Sequence, residues 1–166
     1  APGGARRGDR ERFEREVRAL SAIEHPAIVR YLARGYVDEA PYLVMEWCPH
    51  GSLADLLARE GSLGVADARD LGLALCSALA AAHEAGVLHR DIKPANVLID
   101  AYGTPRLSDF GLAALPSPGQ DLSVTLEALT PAYASPEAFS SADPTPASDV
   151  WSLGATLHAM LTPRSP

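Results

Sequence analysis

The chain has 166 residues, a net charge of −7 and a hydrophobic fraction of 47%. That length suits one domain or part of a larger one, and the apolar fraction is that of a folded core rather than a disordered tail. The acidic balance argues against a nucleic-acid-wrapping surface, and no apolar run reaches the roughly 18 residues of a membrane span.

Residues 1–8 read as a flexible leader with no apolar stretch behind its arginines, so no signal peptide is read there and the cytoplasm is the expected location. From Asp9 the pattern turns helical, with Phe13, Val17, Leu20 and Ile23 recurring at spacings of four, three and three. At about 100° per residue Glu16 falls inside that apolar arc. A buried carboxylate without a partner is costly, so a cation should meet it. "HPAIVRYLARGYV" and "APYLVMEWCP" then read as two strands joined by a turn at Asp38 and Glu39. Ser52 is the expected N-cap of a short helix. A long Ala/Leu-rich helix follows from Asp67 to Ala85, stopped by Gly86. "VLHRD", "NVLID" and "PRLSDFG" read as short strand-like pieces around a turn at Tyr102 and Gly103. Pro116 to Pro146 reads as a long surface loop, and "ASDVWSLGATLHAML" as a final apolar helix. Cys48 and Cys76 have no disulfide or metal-ligand spacing and are expected to be buried thiols. The histidines at 25, 50, 83 and 158 likewise show no metal-ligand spacing.

"LHRDIKPANVLID" crowds His89, Arg90, Asp91, Lys93 and Asn96 between aliphatic runs, where a packing segment needs none of them. Asp109-Phe110-Gly111 stands eighteen residues after Asp91, and Ser135-Pro136-Glu137 a further 28 on, followed by "SDVWSLG". In this order and spacing the set resembles the catalytic loop, metal-binding triplet and peptide-segment triplet of protein kinases. Over Asp9 to Pro163 the chain resembles a eukaryotic-type serine/threonine protein kinase of the kind found in bacteria.

That resemblance implies an α+β fold: a partial two-lobe protein-kinase-like fold with a mostly helical C-lobe. It places a partial N-lobe and hinge at residues 9–48 and a partial C-lobe with catalytic loop and activation segment at 49–166. It implies ATP and Mg²⁺ as cofactors and a protein Ser/Thr hydroxyl as acceptor. Asp91 would orient the attacking hydroxyl, and Lys93 would neutralise the γ-phosphate. Asn96 and Asp109, both hard oxygen donors, would hold the metal. Thr130 resembles the threonine that bonds the catalytic Asp and Lys. Glu16 takes the position of the helix C glutamate, which pairs with a strand lysine. Met45 resembles the gatekeeper, Glu46 and Cys48 would offer hinge backbone to adenine, and Leu98 would floor its pocket. Leu20, Tyr31, His89 and Phe110 would stack between the lobes, with Asp149 anchoring the catalytic loop. Arg90 before Asp91 implies switching by loop phosphorylation. Ser123 and Thr125 are candidate acceptors for an activating kinase or for self-phosphorylation.

Before Glu16 lie fifteen residues without a G-x-G-x-x-G, and Lys93 is the only lysine of the sequence. Both ends read as cut, and this stretch alone is expected not to transfer phosphate. Glu16 and Glu137 are expected to lack their usual cationic partners. Leu129 stands where glycine is usual, and Ser135 where alanine is usual. Two other readings stay open here: a degenerate kinase fold kept as a binding or scaffolding module, and a small-molecule phosphotransferase.

Overall fold

In the computed structural model the described residues are 17–37, 40–110, 131–140, 143–163 and 166. Residues 17–21 are helical and bury Val17 and Leu20, the face that the spacing predicts. The helix gives way before Ile23, which still packs on the core. Pro26 explains the early end, because a residue before proline is pushed out of the helical region.

β1 (Tyr31–Val37) and β2 (Ala40–Met45) pair antiparallel, from Tyr31 opposite Met45 to Val37 opposite Ala40. Both are shorter than the sequence suggests. Residues 25–30 instead reach across to a second sheet: Val29 N–H donates to Leu107 O and Leu107 N–H to Ala27 O. Gly35 sits opposite Tyr42, where a Cβ would come within 2.5 Å of the tyrosine hydroxyl. Residues 46–48 leave the strand and carry the chain into the helical part.

α1 (Leu53–Glu60) starts at the expected cap. Asp55 N–H donates to Ser52 Oγ, while Ser52 N–H donates back to the Asp55 carboxylate, a reciprocal capping box. α2 (Val65–Glu84) buries Ala68, Gly72, Leu75, Ala78, Leu79 and Ala82 along one stripe. Cys76 lies off that stripe and is exposed, so only Cys48 is buried, and both thiols are free. The expectation of two buried thiols fails at position 76, which lies about 40° beyond Gly72, past the edge of the buried stripe. Gly86, at φ 73°, turns the chain after α2.

The segment "VLHRD" is not a strand. The His89 and Arg90 N–H groups donate to a side chain on another helix, and Arg90 takes φ 70°, which a pleated ladder cannot hold. β3 (Val97–Ile99) and β4 (Pro105–Leu107) form a two-stranded antiparallel sheet around the Tyr102-Gly103 turn. After a 3₁₀ turn at Pro136–Phe139, α3 (Pro146–Leu161) closes against α2. There Leu157 lies so near Gly72 that a Cβ would meet it at 2.7 Å. Leu53, Leu75, Ile92, Val97, Leu107 and Phe110 are buried in one core. Each such side chain contributes roughly 1.5–3 kcal/mol, and the loops between them carry the polar cluster.

Candidate active site

The polar cluster predicted around Asp91 closes on itself. Lys93 Nζ lies 2.8 Å from Asp91 Oδ2. Asn96 Nδ2 donates to the same oxygen at 2.8 Å and to the Asp91 carbonyl at 2.7 Å. A 3₁₀ turn at Pro94–Asn96 brings the asparagine back toward the aspartate. Two donors load Oδ2, so Oδ1 is the oxygen available to an incoming hydroxyl. The carboxylate is 15% exposed, enough for access from one side.

The loop itself is held from α3. Asp149, 1% exposed, accepts from Arg90 N–H through Oδ1 at 2.8 Å. Its Oδ2 accepts from His89 N–H at 2.9 Å and contacts His83 Nε2 at 2.8 Å. His89 stacks on Phe110 with ring centroids 4.5 Å apart. Burial pushes the His89 imidazole below its usual value, against the pull of Asp149 and Asp91. Its Nδ1 accepts from Asp91 N–H at 3.3 Å, which leaves the ring neutral with its proton on Nε2.

Ser108, fully buried, joins the two expected metal ligands. Its hydroxyl lies 3.0 Å from the Asn96 carbonyl and 3.2 Å from Asp109 Oδ2, sharing one proton between them, and its N–H donates to the same Asn96 carbonyl. With Asn96 Nδ2 spent on Asp91, the amide oxygen is the atom left for a cation. An amide oxygen and a carboxylate suit a hard divalent ion, so these residues fit magnesium. Among the described residues no group of three or more His, Cys, Asp or Glu side chains could hold a metal by itself. Arg90 and Asp109, at φ 70° and 60°, are the two non-glycine residues with positive φ among those described. Each costs on the order of 1–3 kcal/mol, and such strain concentrates at functional sites.

Met45 ends β2 opposite Tyr31. Burial and then the Asp109 carboxylate push the Tyr31 phenol up to about 12. Cys48 is buried, and that burial, followed by Glu46, raises its thiol. Leu98 is half-buried on β3 and bridges to Ser52 at the start of α1. The Glu46 side chain is turned onto Arg106 at 3.0 Å. Glu16, Thr130, Ser123, Thr125 and Leu129 lie outside the described residues.

Glu137 is not left without a partner. Ser148 Oγ donates to its Oε1 at 2.6 Å, and that bond first of all holds the carboxyl below its ordinary value. His83 and Ser108 are the members that sequence reasoning missed. Asp149 lies 66 positions beyond His83, so no local spacing could have signalled that pair.

The family model for the protein kinase domain matches residues 4–166. The chain is 44% identical over 158 residues to the serine/threonine-protein kinase PknK of Mycobacterium bovis, covering 94% of this chain and 14% of that protein. It is 41% identical over 168 residues to the serine/threonine-protein kinase pkn2 of Myxococcus xanthus, covering 98% and 20%. With PknB of Mycobacterium tuberculosis the identity is 35% over 161 residues, covering 93% and 26%. The chain thus spans about a quarter or less of the length of these relatives. A match over nearly every residue, with an aspartate gripped by Lys93 and Asn96 at its centre, makes the chain a member of the protein kinase domain family.

Proposed function

We propose that the chain is part of the catalytic domain of a serine/threonine protein kinase, with residues 9–48 contributing N-lobe and hinge and 49–166 the C-lobe. The observation that carries this is the Asp91 carboxylate, held through one oxygen by Lys93 and Asn96 on a loop anchored by Asp149. The family uses ATP with a divalent cation; magnesium–ATP, when bound, supplies the phosphoryl group and neutralises its developing charge.

Asp91 Oδ1 accepts the hydrogen bond of a Ser or Thr hydroxyl, orients it in line and takes its proton. Lys93, already beside Asp91, presents a positive charge where the transferred group passes. Asn96 and Asp109 hold the cation through their oxygens, with Ser108 fixing the carboxylate. Hinge backbone at Glu46 and Cys48 would hold the adenine, with Met45 as gatekeeper and Leu98 contributing to its pocket. Glu16 and Thr130 belong to this reading through the family resemblance alone and lie outside the described residues. Phosphorylation of Ser123 or Thr125, by another kinase or by the protein itself, switches the domain through a phosphate–Arg90 pair. No described helix is long and apolar enough to cross a membrane, and the domain is assigned to the cytoplasm. Nothing in the described residues favours the binding-module alternative.

The test is transfer from radiolabelled ATP to a basic protein and a Ser/Thr peptide by the full-length protein, beside a small-molecule panel. Labelling of Ser or Thr that D91N abolishes is the expected result. Labelling of small molecules alone, or of protein equally by D91N, overturns the assignment.

A further inference from the structure

Arg106 is on β4, three residues before Asp109 and opposite Leu98 across the sheet. Its guanidinium joins carboxylates from two separate parts of the fold. Nε and Nη2 donate to Asp100 Oδ2 at 2.9 and 2.8 Å. Nη1 meets Glu46 Oε1 at 3.0 Å. Neither carboxylate is loose. Asp100 Oδ1 accepts from the Tyr102 and Thr104 N–H groups, both at 2.8 Å. Glu46 Oε1 accepts from Arg30 N–H at 3.2 Å, and Glu46 N–H donates to Arg30 O at 3.0 Å. Burial disfavours the charged form of Asp100, but the Thr104 N–H, Arg106 and Tyr102 N–H outweigh it and hold that carboxyl below its ordinary value.

One side chain therefore spans from the segment after β2 to the β3–β4 hairpin. The first piece carries Glu46 and Cys48, the second Leu98. We propose that Arg106 is a positioning residue that sets the gap between the hinge and the Leu98 floor, and through it the affinity for the nucleotide. This rests on the kinase reading above. A planar fork suits the task, since two carboxylates must be held at once and a lysine presents only one charge centre. The Arg106 and Glu46 side chains are 21% and 24% exposed, against 8% for Asp100. Salt therefore weakens the hinge contact before the hairpin contact.

The test uses the full-length kinase, wild type beside R106A and R106K, at about 50 and about 500 mM salt. It measures KM for ATP, KM for peptide, kcat, and the Kd of magnesium–ATP by calorimetry. R106A is expected to raise KM and Kd for ATP roughly three- to tenfold, with kcat and peptide KM within about twofold of wild type. R106K recovers part of the loss. Salt raises the KM for ATP more steeply in wild type than in R106A. An unchanged nucleotide Kd in R106A, a salt dependence as steep in R106A as in wild type, or equal rises in KM for ATP and peptide overturns the proposal. Failure of the kinase reading shows separately, as a wild type that transfers no phosphate to protein; the calorimetric Kd values of wild type and R106A still decide the role of Arg106.

Discussion

Asp149→Ala is the substitution whose consequences reach furthest from its own position. The carboxylate is 1% exposed and ends three contacts: His89 N–H at 2.9 Å, Arg90 N–H at 2.8 Å and His83 Nε2 at 2.8 Å. Alanine leaves two backbone donors without acceptors in a site with little room for water. An orphaned buried donor costs about 1–3 kcal/mol, so the pair destabilises by roughly 2–6 kcal/mol. The Arg90 backbone makes matters worse. Its φ of 70° is strained and stays in place because Asp149 holds the adjoining N–H groups. Once released, residues 89–91 relax toward negative φ and carry the Asp91 carboxylate with them. A displacement near 1 Å at a reacting group costs on the order of a hundredfold in rate. Asp149→Asn separates the two effects: its single amide oxygen serves one N–H while its NH₂ opposes the other. It should therefore lose activity comparably at a smaller stability cost. Thermal melting gives the stability change, and kcat with saturating peptide and ATP gives the rate. If Asp149→Ala melts within 1 °C of wild type, a shift well below that expected for about 1 kcal/mol, the argument fails. It fails equally if kcat is unchanged, because the anchor then positions nothing.

Ser148→Ala removes the 2.6 Å bond to Glu137 and one half of the capping box with Thr145. It should cost about 1–2 kcal/mol in melting experiments and raise KM for peptide more than KM for ATP. Thr145→Ala, which loses the cap but keeps the Glu137 bond, should affect stability alone. Burial lowers the His89 value in the fold. The unfolded chain therefore takes up its proton at a higher pH, near 6.5, than the native chain does, so stability is lost as pH falls below that value. Melting temperatures between pH 8 and 5 should fall more steeply for wild type than for His89→Phe, which keeps the ring stack without the titration. Cys76, exposed, should react with a thiol reagent well before Cys48, which is buried and has a raised thiol value; Cys76→Ser should abolish the fast phase.

The parts legible in the sequence are those whose physics is local. The N-cap at Ser52, the long helix α2 and the turn at Gly103 depend on residues within a few positions of one another. The Asp91–Lys93–Asn96 cluster is of the same kind, since two to five positions separate the three and a single 3₁₀ turn folds them together. "VLHRD" misleads because its aliphatic start satisfies a strand pattern, while its N–H groups are claimed by Asp149, some 60 positions away. At Glu137 a hydroxyl already placed by the α3 cap, not a cation, meets the carboxylate, a contact the sequence reading did not name. Ser148 and Asp149 are consecutive on that first turn, one bound to the peptide-segment triplet and the other to the catalytic loop. The short polar start of α3, where the sequence reading names Asp149 as the loop's anchor but assigns nothing to Ser148, thus fixes the register between the segment expected to present the substrate and the aspartate expected to activate it.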